Sequence, residues 1–566
     1  MNYLKGLDCY PDKAQYFDDE VVTILLEADN IDYISYIKIK VTTLEKIIIE
    51  KKVEASEFEK ESVFYRLALE LPRGNYGVDV MVVDEQDSHR ELHTAFDIAD
   101  SMNYRIRYGF LTDFSPEEKD DTSDILNAKK LHLNTLQFYD WMNRHDRLVS
   151  MEEEYLEPLG RKISVETIKN KITSCKENGI RPFAYGAVYA ASKETYEKAP
   201  SWAVYKKNGE PLYFADWLVF MNTSKDTPWY HHILNEYVRA VKELGFQGIH
   251  MDTYGFPKYV WNDKKERISL AETFPIMIEQ AGKSVKEVDS KAGVIFNAVN
   301  NWPVEYVADA KQDAVYIEVW PPHVTYHHLY TLIREAKYLG AKQVILAAYM
   351  EPFQNMKREE DVLAAQTSLL LANAVILASG GTQLVFGETN GILCDSYYVN
   401  YATLREDFLS KVRAYCDFTV RYGKLLFDTD AMDISMTAAN GINEDILLSV
   451  PAHPHILFSS CGEPGKVWSI IKETGRYTII QLINLTNINE YWNQPKYEQP
   501  EEIHGIKMDI LMDARIEGIY YASPDCSIAA NKIDFTLVEK ENGQHVLFEV
   551  PLLNVWDLIW IETCPV

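Results

Sequence analysis

Eight short apolar runs alternate with helical stretches across the middle of this 566-residue chain. They are "YRIRYGFL" (104–111), "LHLNTLQFY" (131–139), "IRPFAYGAVY" (180–189), "GFQGIHMD" (245–252), "AGVIFNAV" (292–299), "DAVYIEVW" (313–320), "KQVILAAYM" (342–350) and "TQLVFGE" (382–388). Between them lie amphipathic or apolar stretches of helical period, such as 228–245 and 358–379. Strands buried on both faces read as continuous apolar runs, and parallel strands need a crossover, usually a helix. Eight such units predict a (β/α)8 barrel over 101–435. The structural rival is a doubly wound open sheet. Neither a G-x-G-x-x-G after the first run nor a G-x-x-x-x-G-K-[ST] anywhere supports it.

The flanks follow another rhythm. Residues 20–98 carry short β-rich runs separated by polar, Gly or Pro breaks, which predicts an immunoglobulin-like β-sandwich over 1–100. From about residue 440 the β pattern returns and continues to "VWDLIWIE", which predicts a C-terminal β-sandwich over 436–566. The fold class is therefore multidomain, a central barrel between two sandwiches. The formal charge of −28 argues against nucleic acid or an anionic membrane as partner and suits a neutral substrate. No run of about 18 apolar residues is read as a membrane span. The N-terminus, "MNYLKGLDCYPDKAQ", shows no apolar leader. The expectation is a cytoplasmic protein as written, or a secreted one if a leader has been trimmed. Seven scattered cysteines without C-x-x-C read as reduced thiols. Tyr and Trp number 36 and 11, enough to line a sugar cleft, where flat rings stack on pyranose faces.

In a barrel, reactive groups gather where the strands end. The first run leads to Asp113. The second ends in Tyr139, Asp140 and Trp141, followed by Arg144 and His145. The fourth stops on Asp252. The fifth offers Asn297, the sixth Glu318 and then Trp320, the seventh Tyr349 and Glu351, the eighth Glu388 and Asn390. Any one acid in such a place can be a helix cap or an ion-pair partner. A ring of acids and aromatics on several strands suits glycoside hydrolysis. Its cation-like transition state needs one carboxylate near the anomeric carbon and a second carboxyl holding a proton for the departing oxygen.

The stretches "RYGFLTDF" (107–114), "NTLQFYDWMNRHD" (134–146), "GIHMDTYG" (248–255) and "YIEVW" (316–320) resemble glycoside hydrolase family 66, which holds endo-dextranases and cycloisomaltooligosaccharide glucanotransferases. The resemblance spans the whole chain. It implies a retaining enzyme cleaving α-1,6-glucosidic bonds of dextran or isomaltooligosaccharides, with Asp252 as nucleophile and Glu318 as acid/base, about 5–5.5 Å apart. Asp140 is then the choice for a hydroxyl clamp on the glucose at the cleaved bond, with Tyr139, Trp141, Arg144 and His145 as helpers. Tyr254 and Trp320 are candidates for sugar stacking, and Asn297, Tyr349, Glu351, Glu388 and Asn390 for substrate contact by strand position. The segment 190–230, with Trp202, Trp217 and Trp229, is a candidate cleft wall. The family's glucanotransferases carry a carbohydrate-binding module inserted near the seventh strand. No room for one exists between Met350 and Arg358, which favours a hydrolase with transglycosylation as the alternative. A non-catalytic carbohydrate-binding protein is a further alternative. No cofactor is expected. No metal is expected either: "HPH" (453–455), His231–His232 and His327–His328 lack ligand spacing such as H-E-x-x-H.

Overall fold

The computed structural model describes residues 6–101, 105–438 and 445–564. Tyr104, where the first apolar run begins, and the first five residues of the N-terminus lie outside the described residues.

The eight runs form eight parallel strands: β1 (Tyr108–Leu111), β2 (Thr135–Phe138), β3 (Arg181–Ala187), β4 (Gly248–Asp252), β5 (Gly293–Val299), β6 (Val315–Glu318), β7 (Val344–Ala347) and β8. The last is split into Gly381–Gln383, which pairs with β7, and Phe386–Gly387, which pairs back onto β1. The sheet therefore closes on itself. Closure needs a glycine: a Cβ on Gly387 would lie 2.4 Å from the Phe110 carbonyl oxygen. Tyr108, Phe110, Phe183, Ile295, Tyr316, Ile345 and Ala347 cluster in the closed interior, a packed core rather than a pore. The 228–245 stretch is helical over Pro228–Arg239 and continues as a wider turn to Leu244.

Glu359–Ser379, the helix after β7, is apolar on all sides. An 18-residue stretch of it has a mean hydropathy of 1.8, so it passes the length and composition test for a membrane span, contrary to the sequence reading. Of that stretch 83% is buried, because the helix is enclosed between the barrel and the C-terminal sheets. Its Ala378 carbonyl accepts bonds from Lys472 and Gln481 of those sheets.

Before the barrel, a three-stranded sheet (Asp8–Pro11, Val22–Glu27, Val63–Leu69) faces a five-stranded one across a shared apolar core. Val22–Glu27 alternates buried and half-buried residues, as a strand with one covered face does. This sandwich docks near the N-terminal ends of the barrel strands. Arg107, just before β1, pairs with the buried Asp97 at 2.9 Å, and Arg421 pairs with Asp79 at 2.7 Å. After the barrel, a seven-stranded and a four-stranded sheet enclose another core. Met432–Asp433 already pairs with the strand Val467–Glu473, so the C-terminal sheet recruits chain from before residue 436. A strand over Ser527–Ile533, which the sequence reading did not assign, joins the same sheet.

One C-terminal segment helps shape the barrel mouth. The Tyr326 amide donates to the Glu490 carbonyl at 2.9 Å, the Trp492 amide to Val324 at 3.1 Å, and the Trp492 indole to His323 at 2.9 Å. These bonds hold the loop that leaves β6 through Trp320.

Candidate active site

The C-terminal mouth of the barrel opens into a cavity of about 640 Å³. Asp252 and Glu318, each the last residue of its strand, project into it. Asn297 of β5, the strand between theirs, joins them. Its side-chain amide nitrogen donates to Asp252 Oδ1 at 2.7 Å and to Glu318 Oε2 at 3.0 Å. The nearest oxygens of the two carboxyls are therefore no farther apart than these two bonds laid end to end. The remaining oxygens are also held: Tyr185 OH donates to Asp252 Oδ2 at 2.8 Å, and Tyr349 OH to Glu318 Oε1 at 2.9 Å.

This arrangement sets the protonation of the site. Burial pushes the Asp252 carboxyl up to about 7, and the Glu318 charge adds to the rise, while bonds from Asn297 and Tyr185 hold it back. Glu318 is also raised by burial, against bonds from Asn297, Tyr349 and Trp320. Two carboxyls this close resist joint ionisation, so the pair retains one proton near neutrality and titrates as a unit. One group can then attack while the other donates a proton.

Asp140 enters the same cavity from the turn after β2. Its φ of 49° is left-handed, which swings its carboxyl out of the strand alternation. Burial raises it to about 7, with Arg161 acting in the opposite direction. The Arg161 guanidinium also donates to the Asp140 carbonyl at 3.3 Å and fixes the turn. His145 is held down at about 4 by burial, so it faces the cavity as a neutral ring. Aromatic walls complete the space. Tyr139 stacks on Tyr398 at 4.3 Å, Tyr254 on Phe214 at 4.1 Å, Trp320 meets Tyr349 at 5.8 Å, and Trp217 meets His145 edge-on at 5.3 Å. Flat faces beside recessed acids match a sugar ring, apolar above and below and hydroxylated at its rim.

The structure thus brings Asp252, Glu318, Asp140, Tyr139, His145, Tyr254, Asn297, Trp320 and Tyr349 to one cavity. It places the other candidates elsewhere. Trp141 is fully buried in the barrel wall, packed on Phe246, with its indole donating to the Tyr185 carbonyl. Arg144 is exposed and donates to the Asn143 and Leu156 carbonyls outside the cavity. Glu351 is exposed on a short 3-10 turn. Glu388 is buried just past the closing glycine, where it accepts from the Thr112 amide at 2.7 Å, the Asp113 amide at 3.0 Å and the Thr112 hydroxyl. It locks β8 to β1. Asn390 supplies its carbonyl to the Leu404 amide and does not reach the cavity. Asp113 is exposed and accepts from the Ser115 amide. Of the three tryptophans proposed as a wall, Trp217 lines the cavity. Trp229 is core, and Trp202 packs on His232.

Tyr185, Phe214, Tyr397 and Tyr398 line the cavity without having been singled out. Tyr397 and Tyr398 lie in "CDSYYVNY" (394–401), an aromatic-rich loop after the last strand that could have flagged them. Among the described residues, no set of three metal-ligating side chains gathers at the cavity. The one such set found is His453, His455 and Glu501, in the C-terminal sheets.

Comparison with known proteins gives the family and the fold. The profile of glycosyl hydrolase family 66 matches residues 11–560. A cycloisomaltooligosaccharide glucanotransferase of Niallia circulans is 24% identical over 712 aligned positions, covering 98% of this chain and 71% of the relative. The alignment is longer than the 566-residue chain, so that relative carries segments with no counterpart here. A Streptococcus salivarius dextranase is 22% identical over 77% of this chain and 60% of its own length. Among solved structures, a Paenibacillus cycloisomaltooligosaccharide glucanotransferase complexed with cycloisomaltoheptaose superposes with a TM-score of 0.87 at 20% identity, over 98% of this chain and 99% of that one. The likeness in structure extends to the whole fold.

Proposed function

The chain belongs to glycosyl hydrolase family 66 and is a glycosidase-type enzyme acting on α-glucan, and from that premise we propose that it hydrolyses α-1,6-glucosidic bonds of dextran or isomaltooligosaccharides by retaining double displacement. The observation that carries the reading is the single Asn297 amide shared by Asp252 and Glu318. A shared donor supports the carboxyl separation of retaining enzymes, about 5–5.5 Å, over the about 6.5–9.5 Å that an inverting enzyme needs to admit water.

In the first step Asp252 attacks the anomeric carbon, the glycosidic C–O bond breaks, and Glu318 gives its proton to the departing oxygen. A glucosyl ester forms on Asp252. In the second step Glu318, now ionised, takes a proton from water, which displaces the ester with a second inversion. Asp140 accepts hydrogen bonds from hydroxyls of the same glucose, with Tyr139 and His145 beside it. Tyr254, Trp320 and Trp217 offer faces to this and neighbouring sugars. The preference for water over a sugar acceptor is supported by the short link after β7. Only residues 348–358 separate it from its helix, so no domain is inserted there. The N-terminal sandwich is read as immunoglobulin-like, a reading supported by its three- and five-stranded sheets.

The test is product analysis after incubation with dextran, isomaltooligosaccharides, starch and cellulose. Linear α-1,6 oligosaccharides are expected. Cyclic products would assign the glucanotransferase reaction instead, and cleavage of starch alone would overturn the linkage. Asp252→Ala and Glu318→Gln should each lower turnover by about three to four orders of magnitude. Azide should rescue the first as the β-glucosyl azide, inverted relative to substrate.

A further inference from the structure

The C-terminal sheets contain a constellation that the glycosidase reaction does not use. His453 and His455 occupy the turn "VPAHPHILF" (450–458) after the strand Ile446–Ser449. The turn is pinned internally, with the His453 amide donating to the Val450 carbonyl at 2.9 Å and the Ile456 amide to the His453 carbonyl at 3.0 Å. Pro454 between the histidines stiffens the backbone. Their rings stand 5.7 Å apart and perpendicular. Glu501 meets them from a distant segment, and its backbone is fixed at both ends. Its amide donates to Thr486 Oγ1 at 2.8 Å, and its carbonyl accepts from Asn484 Nδ2 at 2.7 Å.

One ligand atom from each of the three side chains lies within 4.8 Å of the other two. The contact between His455 Nε2 and Glu501 Oε2 is 3.4 Å. That is long for a charge-assisted hydrogen bond, which closes to about 2.7–2.9 Å. It equals the edge of a coordination tetrahedron: metal–ligand bonds of about 2.0–2.1 Å place neighbouring ligand atoms about 3.3–3.4 Å apart.

We propose that His453, His455 and Glu501 form a binding site for a divalent transition metal, with Zn²⁺ the ion best matched to the donors. Two imidazole nitrogens and one carboxylate select a borderline ion over Ca²⁺ or Mg²⁺, which take oxygen ligands. Both histidines are exposed and Glu501 is half-buried, so the ion enters directly from solvent and keeps water in its fourth position.

The consequence is mechanical. Glu501 belongs to the segment 486–502, whose Glu490 and Trp492 backbones bond to the loop leaving β6. Bound metal ties the turn 450–458 to that segment and so fastens the C-terminal sheets to the loop that carries Trp320. None of the three ligands lines the substrate cavity, so the ion is structural.

The test uses full-length protein freed of any affinity tag and stripped with EDTA. Calorimetric titration with ZnCl₂ should show one saturable site. His455→Ala and Glu501→Gln should each weaken it by about 10- to 100-fold or more. Co²⁺ should give the visible absorption of a four-coordinate ion in the parent and lose it in both variants. Zinc should raise the melting midpoint of the parent by a few degrees and leave the variants unmoved. Since both side chains are solvent-accessible, the metal-free variants should melt with the parent. If one does not, the other decides. Equal zinc uptake by the parent and both variants, or none by the parent, overturns the site. None of the three readouts depends on glucan cleavage.

Discussion

Asn297→Ala gives the sharpest test of how the site works. A primary amide nitrogen has two hydrogens, and here each serves one carboxyl, at 2.7 Å on Asp252 and 3.0 Å on Glu318. The residue is buried, 3% exposed, so bulk water does not simply replace the lost donor. A hydrogen bond to a charged group contributes about 1.5–3 kcal/mol. Each 1.36 kcal/mol of differential stabilisation is one pKa unit, so losing the amide should raise each carboxyl by about one to two units. The direction follows from its role, because Asn297 opposes the rise of both groups. Asp252 already stands at about 7. Below neutrality the ionised nucleophile then becomes about 10- to 100-fold scarcer, and kcat/KM falls with it. At higher pH the pair regains its singly ionised form, because losing the amide raises both carboxyls together. Both limbs of the bell should therefore move to higher pH, and much of the lost rate should return on the alkaline side. The assay is kcat/KM for a chromogenic isomaltooligosaccharide across pH, which reports the free enzyme. A uniform loss with both limbs in place would refute the electrostatic role. So would a shift toward acid.

Three further outcomes follow from the same geometry. Asp252 and Asp140 have folded-state values raised to about 7, above the ordinary carboxylate range, so the folded protein binds more protons than the unfolded chain between that range and about pH 7. Stability contributed by these groups is present at low pH and is lost as pH rises to about 7. Asp140→Asn and Asp252→Asn should each therefore melt above the parent at about pH 8, with the gap closing toward about pH 4 in calorimetry. Glu388→Ala removes the acceptor of the Thr112 and Asp113 amides and should cost about 1–3 kcal/mol in denaturant melts, with kcat nearly unchanged where the protein is folded. Trp217→Ala removes a flat wall beside His145 and should raise KM about 3- to 10-fold for oligosaccharides while kcat changes less.

The barrel was legible because its strands, covered on both faces, appear as apolar runs with helical sequence between them. Asp252 and Glu318 were legible because each breaks such a run at its last residue. The same burial that exposes the strands conceals their orientation. Every residue of β3 is buried, so its sequence carries no alternation to mark which side chains look inward. Register supplies what is missing. Tyr185 lies opposite His250, two residues before Asp252, and so shares the inward parity of the acid it bonds. Asn297 lies opposite Tyr316, two before Glu318. Parity also explains the misplaced residues. Tyr139 faces the cavity, but the left-handed turn at Asp140 breaks the alternation, so Asp140 takes the next inward position and Trp141 rotates into the wall. Glu388 follows Gly387, where the sheet closes on β1, and closure gives it two backbone amides to hold instead of a substrate. His453, His455 and Glu501 mark the opposite limit. No local periodicity joins a turn at 453–455 to a residue at 501; the strands between them, Phe458–Ser459, Val467–Glu473 and Tyr477–Asn484, bring the segments together. One inward residue, once known, can be carried strand by strand around a closed sheet. A site assembled by two loops has no such rule until the strands that position them are in place.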